Sequence, residues 1–114
     1  MSQIVKTHPV PYYAVIFTSR RTEGDNGYAR MGEEVDLALS GQQGYLGMES
    51  VRGADGLGIT VSYWDSTESI AAWKQNLTHA HAKAIGRKLW YERYAIRICI
   101  VQQDNFFEKQ TELQ

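Results

Sequence analysis

His79, Lys83 and Arg87 stand four residues apart in the stretch Tyr63–Val101, the part of this 114-residue chain richest in groups that could do chemistry. On a helix they share one side, and Lys83, Arg87 and Trp90 form an overlapping row. Donors so arranged can stabilise a bound anion if they line a pocket. They can equally form a solvated basic edge. A metal is not expected: His79 and His81 are two apart, so a helix turns them to different faces, whereas helical ligand pairs are spaced by four. Cys99 lies in the apolar run IRICIV, which reads as a central strand where a reactive thiol would lack access. The glycine-rich GADGLG falls in a predicted hairpin instead of a strand-to-helix turn, so it is no nucleotide fingerprint, and no serine sits in a Gly-x-Ser-x-Gly context.

Composition sets the frame for these residues. With 43% hydrophobic and 22% charged residues, the chain has the make-up of one ordinary soluble domain. A formal net charge of -1 provides no field to gather phosphates, and no Lys/Arg cluster suggests a membrane surface, so neither nucleic acid nor membrane is an expected partner. The single cysteine excludes a disulfide within the chain and suits a reducing, cytoplasmic setting. The opening residues have no signal-peptide pattern, and no window approaches the length of a membrane span.

The elements that must position the candidates follow from periodicity. Residues 1–11 read as an N-terminal arm kept extended by Pro9 and Pro11, residues 12–102 as the folded domain, and residues 103–114 as a polar tail whose Phe106 and Phe107 need cover. Tyr12–Ser19 is rich in aromatic and β-branched residues and predicts strand one. Asp25 or Asn26 can cap a helix in which Tyr28, Met31, Val35, Ala38 and Leu39 recur at helical spacing, leaving Glu33, Glu34 and Asp36 largely to solvent. YLGMESV and GITVSYW predict strands two and three around an Asp55-Gly56 turn. Asp65 and Glu68 have capping-box spacing ahead of Ile70, Ala71 and Trp73, and the helix restarts at Thr78 after a bend at Asn76-Leu77. It then continues to Tyr94, where AIRICIV becomes strand four. The order βαββαβ predicts an α+β, ferredoxin-like fold: a four-stranded antiparallel sheet with the helices on one face. Trp64 and Trp73, large aromatics at element ends, read first as core.

Helices on one face leave the other uncovered, and that face should alternate to polar if it meets water. Strand one is apolar on both sides, Tyr13/Val15/Phe17 and Tyr12/Ala14/Ile16, and strand four alternates Ile96/Ile98/Ile100 with Ala95/Arg97/Cys99/Val101. A second copy packed sheet to sheet is the expected cover, with the arms folding back over the face as the alternative.

Residues along Tyr12–Gln102 also carry a resemblance. The join Tyr63-Trp64-Asp65-Ser66, the segment Ser69–Trp73, His79, Gly86–Tyr94 and the turn Gly44-Tyr45-Leu46-Gly47 resemble the antibiotic biosynthesis monooxygenase family of the dimeric α/β-barrel superfamily. That resemblance implies a homodimeric barrel with a pocket between sheet and helices in each protomer. It further implies oxidation of a small phenolic or quinol-type molecule by dioxygen without a cofactor, in a pocket that holds the phenol beside donors to its anion. The implied catalytic set is Trp73, His79, Arg87 and Tyr91, with Tyr13, Asn76, Lys83 and Trp90 binding the small aromatic substrate. A catalytically silent small-molecule-binding or stress-response dimer would use the same pocket. Haem-degrading members share an asparagine on strand one, a tryptophan on the second helix and an axial histidine ten residues later. Here Trp73 matches, but Lys83 takes the axial position and Thr18 or Ser19 the asparagine's; an ammonium has no lone pair for iron.

Overall fold

The computed structural model describes residues 4–110; the outermost parts of the two predicted arms, residues 1–3 and 111–114, lie outside the described residues. Its elements are β1 (Tyr12–Arg21), α1 (Tyr28–Ser40), β2 (Tyr45–Arg52), β3 (Leu57–Trp64), α2 (Thr67–Lys74), α3 (Leu77–Ile85), a π-helical turn (Gly86–Trp90) and β4 (Tyr91–Val101). The strands form one antiparallel sheet in the order β2-β3-β1-β4. This is the ferredoxin-like α+β arrangement expected from the order of elements. No helix among the described residues is long and apolar enough to cross a membrane.

Register assigns each strand residue to a face. Val15 lies opposite Ser62 on β3 and Ile98 on β4, so Tyr13, Val15 and Phe17 share a side with Ser62 and Ile96. That side meets the helices: Leu39, Trp64, Ile70 and Trp73 form the buried cluster, with Tyr13, Val15, Val35, Ala38, Tyr45 and Met48 packed against it. Trp64 is completely buried and donates from Nε1 to Ser62 Oγ at 2.9 Å, which removes the cost of an unpaired indole N–H in the core.

Local chemistry differs from expectation at four places. The cap of α2 is Ser66, whose Oγ accepts from Ser69 N at 3.1 Å, and not Asp65. Asp65 instead accepts from Ser69 Oγ at 2.8 Å while its N–H donates to Gly44 O at 2.9 Å, tying the start of β2 to the β3–α2 join. A side chain at Gly44 would come within 2.0 Å of Ser69 Oγ, at a φ of 86°. Ahead of α1 the boundary residue is Gly27, but Asp25 reaches past it to accept from the N–H groups of Gly27 and Ala29, both at 3.1 Å.

The third difference is the end of the helical run, which stops well before Tyr94. The N–H of Tyr91 donates to Gly86 O, five residues back, and Tyr91 already pairs with Arg21 of a β1 that is longer than expected. Fourth, Cys99 is exposed, because β4 is an edge strand and not a central one.

The arms cover only part of the open face. Tyr12 OH donates to Asp104 at 2.6 Å, Tyr63 OH donates to Glu49 at 2.7 Å, and Val5 N donates to the other Glu49 oxygen at 2.9 Å. These bonds hold both chain ends at the Tyr12–Tyr63 corner. Burial and the adjacent carboxylates push the Tyr12 and Tyr63 phenols up to about 12. Phe106 lies 6.0 Å from Lys6 Nζ, whereas Phe107 stays exposed and covers nothing among the described residues. Val51 and Ile59 on the open face also remain exposed, as do Ile96, Ile98 and Ile100 along the β4 edge.

Candidate functional site

Between sheet and helices lies a cavity of about 1150 Å³. Val15 and Phe17 of β1, Met48 of β2 and Ile96 of β4 form an apolar floor, and Val35, Leu39, Ile70 and Trp73 of α1 and α2 form the roof. The volume is at the large end for a small-molecule site and suits a ligand of several fused rings. Polar groups enter at separate places: Ser62 and Thr60 from β3, Asp36 from α1, Lys74 from α2, His79 and Lys83 from α3, and Tyr91 and Tyr94 from β4.

The α2–α3 break fixes His79. Asn76 caps α3 with a side-chain oxygen that accepts from Thr78 N at 2.9 Å and His79 N at 3.3 Å. This starts α3 at an angle that folds His79 back on Trp73, ring over ring, with centroids 4.6 Å apart and planes 15° from parallel. His79 Nδ1 lies 3.2 Å from the Trp73 carbonyl. A carbonyl oxygen only accepts, so Nδ1 carries the proton and Nε2 keeps its lone pair. Burial has the largest effect and lowers the imidazole's pKa; the Trp73 bond comes next and opposes it, and the charges of Lys83 and then Lys74 add smaller lowering effects. At neutral pH His79 is thus an uncharged imidazole on the cavity wall, and its Nε2 has no hydrogen-bond partner among the described residues.

At another part of the wall the π-helical turn delivers Trp90 and Tyr91. Trp90 is buried and donates from Nε1 to Asn26 O at 2.9 Å, while its carbonyl accepts from Thr22 N and Arg21 Nε, both at 2.9 Å. Tyr91 meets Phe17 edge to face at 5.3 Å and Tyr28 at 6.1 Å. Burial first, then Tyr28, hold the Tyr91 phenol well above the ordinary phenol range, against the opposing charges of Arg52 and Arg21. It stays protonated and can donate.

Of the residues singled out in the sequence, Trp73, His79, Lys83, Trp90 and Tyr91 line one cavity. The other three do not. Arg87 is exposed, and its Nε donates to Tyr94 OH at 2.8 Å, so it does not line the cavity although it follows Lys83 by one turn. Asn76 is occupied as a helix cap, and Tyr13 packs against the buried cluster. Sequence reasoning missed Phe17, Tyr94 and Ile96, which two-residue alternation along β1 and β4 would have given once the helix-facing side was known. Asp36 is exposed, as its place in the helical pattern implied, but it also borders the cavity, where partial desolvation raises its carboxyl's pKa.

Comparison with known proteins supports the same architecture. No family model matches the chain. Among solved structures, SnoaB, a cofactor-independent oxygenase from Streptomyces nogalater, matches with a TM-score of 0.70 at 8% identity over 82% of this chain and 95% of that one. A Nitrosomonas europaea protein named "Putative antibiotic biosynthesis monooxygenase" matches with a TM-score of 0.66 at 11% identity, over 76% of this chain and 95% of its own. A Bacteroides thetaiotaomicron protein described as a possible oxidoreductase matches at 0.68 and 13% identity, over 80% of this chain and 98% of its own. At these identities the likeness is one of fold, and it defines a protein of ferredoxin-like α+β architecture. The chain belongs to the family of the uncharacterized protein YqjZ of Bacillus subtilis (strain 168), with which it is 47% identical over 111 residues, 97% of each chain.

Proposed function

We propose that this protein is a cofactor-independent monooxygenase that converts a phenolic or quinol-type aromatic molecule to a quinone with dioxygen. The observation that carries this reading is the uncharged His79, with its lone pair on Nε2, in the wall of a large and largely apolar cavity. Nε2 takes the phenolic proton, and the imidazolium keeps its Nδ1–H bond to Trp73 O. The electron-rich phenolate reduces dioxygen at a ring carbon that bears hydrogen, and a C–O bond forms there. His79 returns its proton to the distal oxygen. Loss of the ring C–H proton to Nε2 and cleavage of the O–O bond leave a carbonyl, and the departing hydroxide takes that proton to become water. The substrate supplies all the electrons. Tyr91, held protonated, donates to the developing oxyanion.

A second copy completes the cover of the sheet. Val51 and Ile59, exposed on the open face beyond the reach of the arms, support a homodimer formed sheet to sheet. Oxygen-electrode measurements across a panel of hydroxyaromatic compounds test the reaction. Uptake of one dioxygen per quinone formed is expected, with His79→Ala lowering kcat by about 10²-fold or more. No uptake with any phenol, alongside a rise in Tm on adding one, overturns the oxygenase reading in favour of a binding module.

A further inference from the structure

The charge of the cavity wall differs from that of the chain. In a protein of net charge -1, the lining carries the ammonium groups of Lys6, Lys74 and Lys83 against the single carboxylate of Asp36, with the histidines counted neutral. Two of the lysines are placed by the site's own elements: Lys74 is the last residue of α2, and Lys83 lies in the last turn of α3. Both are exposed residues that line the same cavity as His79, and both charges act on its imidazole. Neither lysine has an ion pair or hydrogen bond among the described residues, so their charges are free to meet a guest. The same cavity is lined by Trp73, with His79 stacked on it and Trp64 tilted against it at 6.3 Å. A flat apolar body with one anionic edge is complementary to such a surface.

We propose that Lys74 and Lys83 are specificity-determining residues that select an aromatic acid, a phenol carrying a carboxylate on the same ring system, over its uncharged analogues. This rests on the oxygenase reading for the phenol but not for the acid. The carboxylate would lie between the two ammonium groups with the rings along Trp73 and His79. In doing so it would also offset the positive charge that disfavours protonation of His79.

The test uses unreactive probes, so it is independent of oxygen chemistry. 2-Naphthoate and 2-naphthamide have nearly the same shape and differ in charge. Calorimetric titration of the whole protein is expected to show the acid binding about tenfold more tightly than the amide, which is the sum of two partly exposed ion pairs. The preference should shrink between low and high salt. It should fall to threefold or less in Lys74→Gln/Lys83→Gln and be retained in Lys74→Arg/Lys83→Arg, which keeps the charge. The salt series on the unmodified protein decides the matter if the glutamine variant does not fold. Equal affinities, no binding of either probe, or a preference insensitive to salt and to the glutamine pair each overturn the proposal. Uptake of dioxygen by neutral phenols with no preference for acids refutes this inference alone, whereas an acid preference with no uptake by any phenol refutes the oxygenase reading alone.

Discussion

Substituting Asn76 separates its role as a helix cap from a role in binding. In Asn76→Ala the N–H groups of Thr78 and His79 lose the acceptor that lies 2.9 and 3.3 Å away, and the start of α3 is left with unpaired donors. Removing an asparagine cap costs about 1 kcal/mol, within a range of roughly 0.5–2. For a chain of this size that is a fall in Tm of about 5 °C. Asn76→Asp keeps the acceptor and places a negative charge at a helix N-terminus, so it should hold the Tm of the parent protein. Thermal unfolding followed by circular dichroism reads both variants. The same loss should be visible at His79, whose placement over Trp73 depends on where α3 begins. Its NMR titration midpoint, depressed in the parent by burial, should move back toward the ordinary histidine value in the alanine variant; the aspartate variant is compared by Tm alone, because its new carboxylate raises the midpoint by itself. If alanine and aspartate destabilise equally, or if alanine leaves both Tm and the His79 titration unchanged, Asn76 does not set the site in this way.

The depressed pKa of His79 also predicts how stability changes with acid. Between the ordinary histidine value of about 6.5 and the lower folded value, the unfolded chain binds a proton that the folded one refuses, so stability rises with pH across that window. Urea midpoints should be highest above about pH 6.5 and fall as pH drops through the folded pKa, with a shallower slope in His79→Gln; equal slopes would mean that the imidazole is not desolvated. For assembly, light scattering at micromolar concentration should give the mass of two chains, and Ile59→Lys on the exposed open face should shift it toward one; a single-chain mass for the parent protein refutes the dimer.

The strands, α1 and a helix restart after the Asn76-Leu77 bend were legible because each is written in local pattern, although α3 begins at Leu77, one residue before the expected Thr78, with Asn76 as an unforeseen cap. The cavity was legible only in its helical half. Trp73, His79 and Lys83 lie on elements whose inward side follows from sequence, but Phe17, Tyr94 and Ile96 required knowing which of two apolar faces of the sheet meets the helices. Both faces of β1 are apolar, so alternation alone could not decide. Arg87 was misplaced for a different reason. Helical spacing aligns it with Lys83, but spacing does not show that its guanidinium bonds the Tyr94 hydroxyl instead of entering the cavity. Asp65 was a plausible cap by type and spacing, yet its neighbour Ser66 takes the cap because Asp65 is held by Ser69 and Gly44.

The widened turn at Gly86–Trp90 holds one residue more than an α-helical turn would, and in doing so breaks the phase between α3 and β4. The two elements that share the cavity wall can therefore be tuned separately. A residue gained or lost in this turn would rotate Trp90 and Tyr91 relative to Lys83 and His79 while leaving both flanking elements intact. Among relatives of this chain, length changes at this point would re-aim one wall of the cavity against the other without rebuilding the sheet.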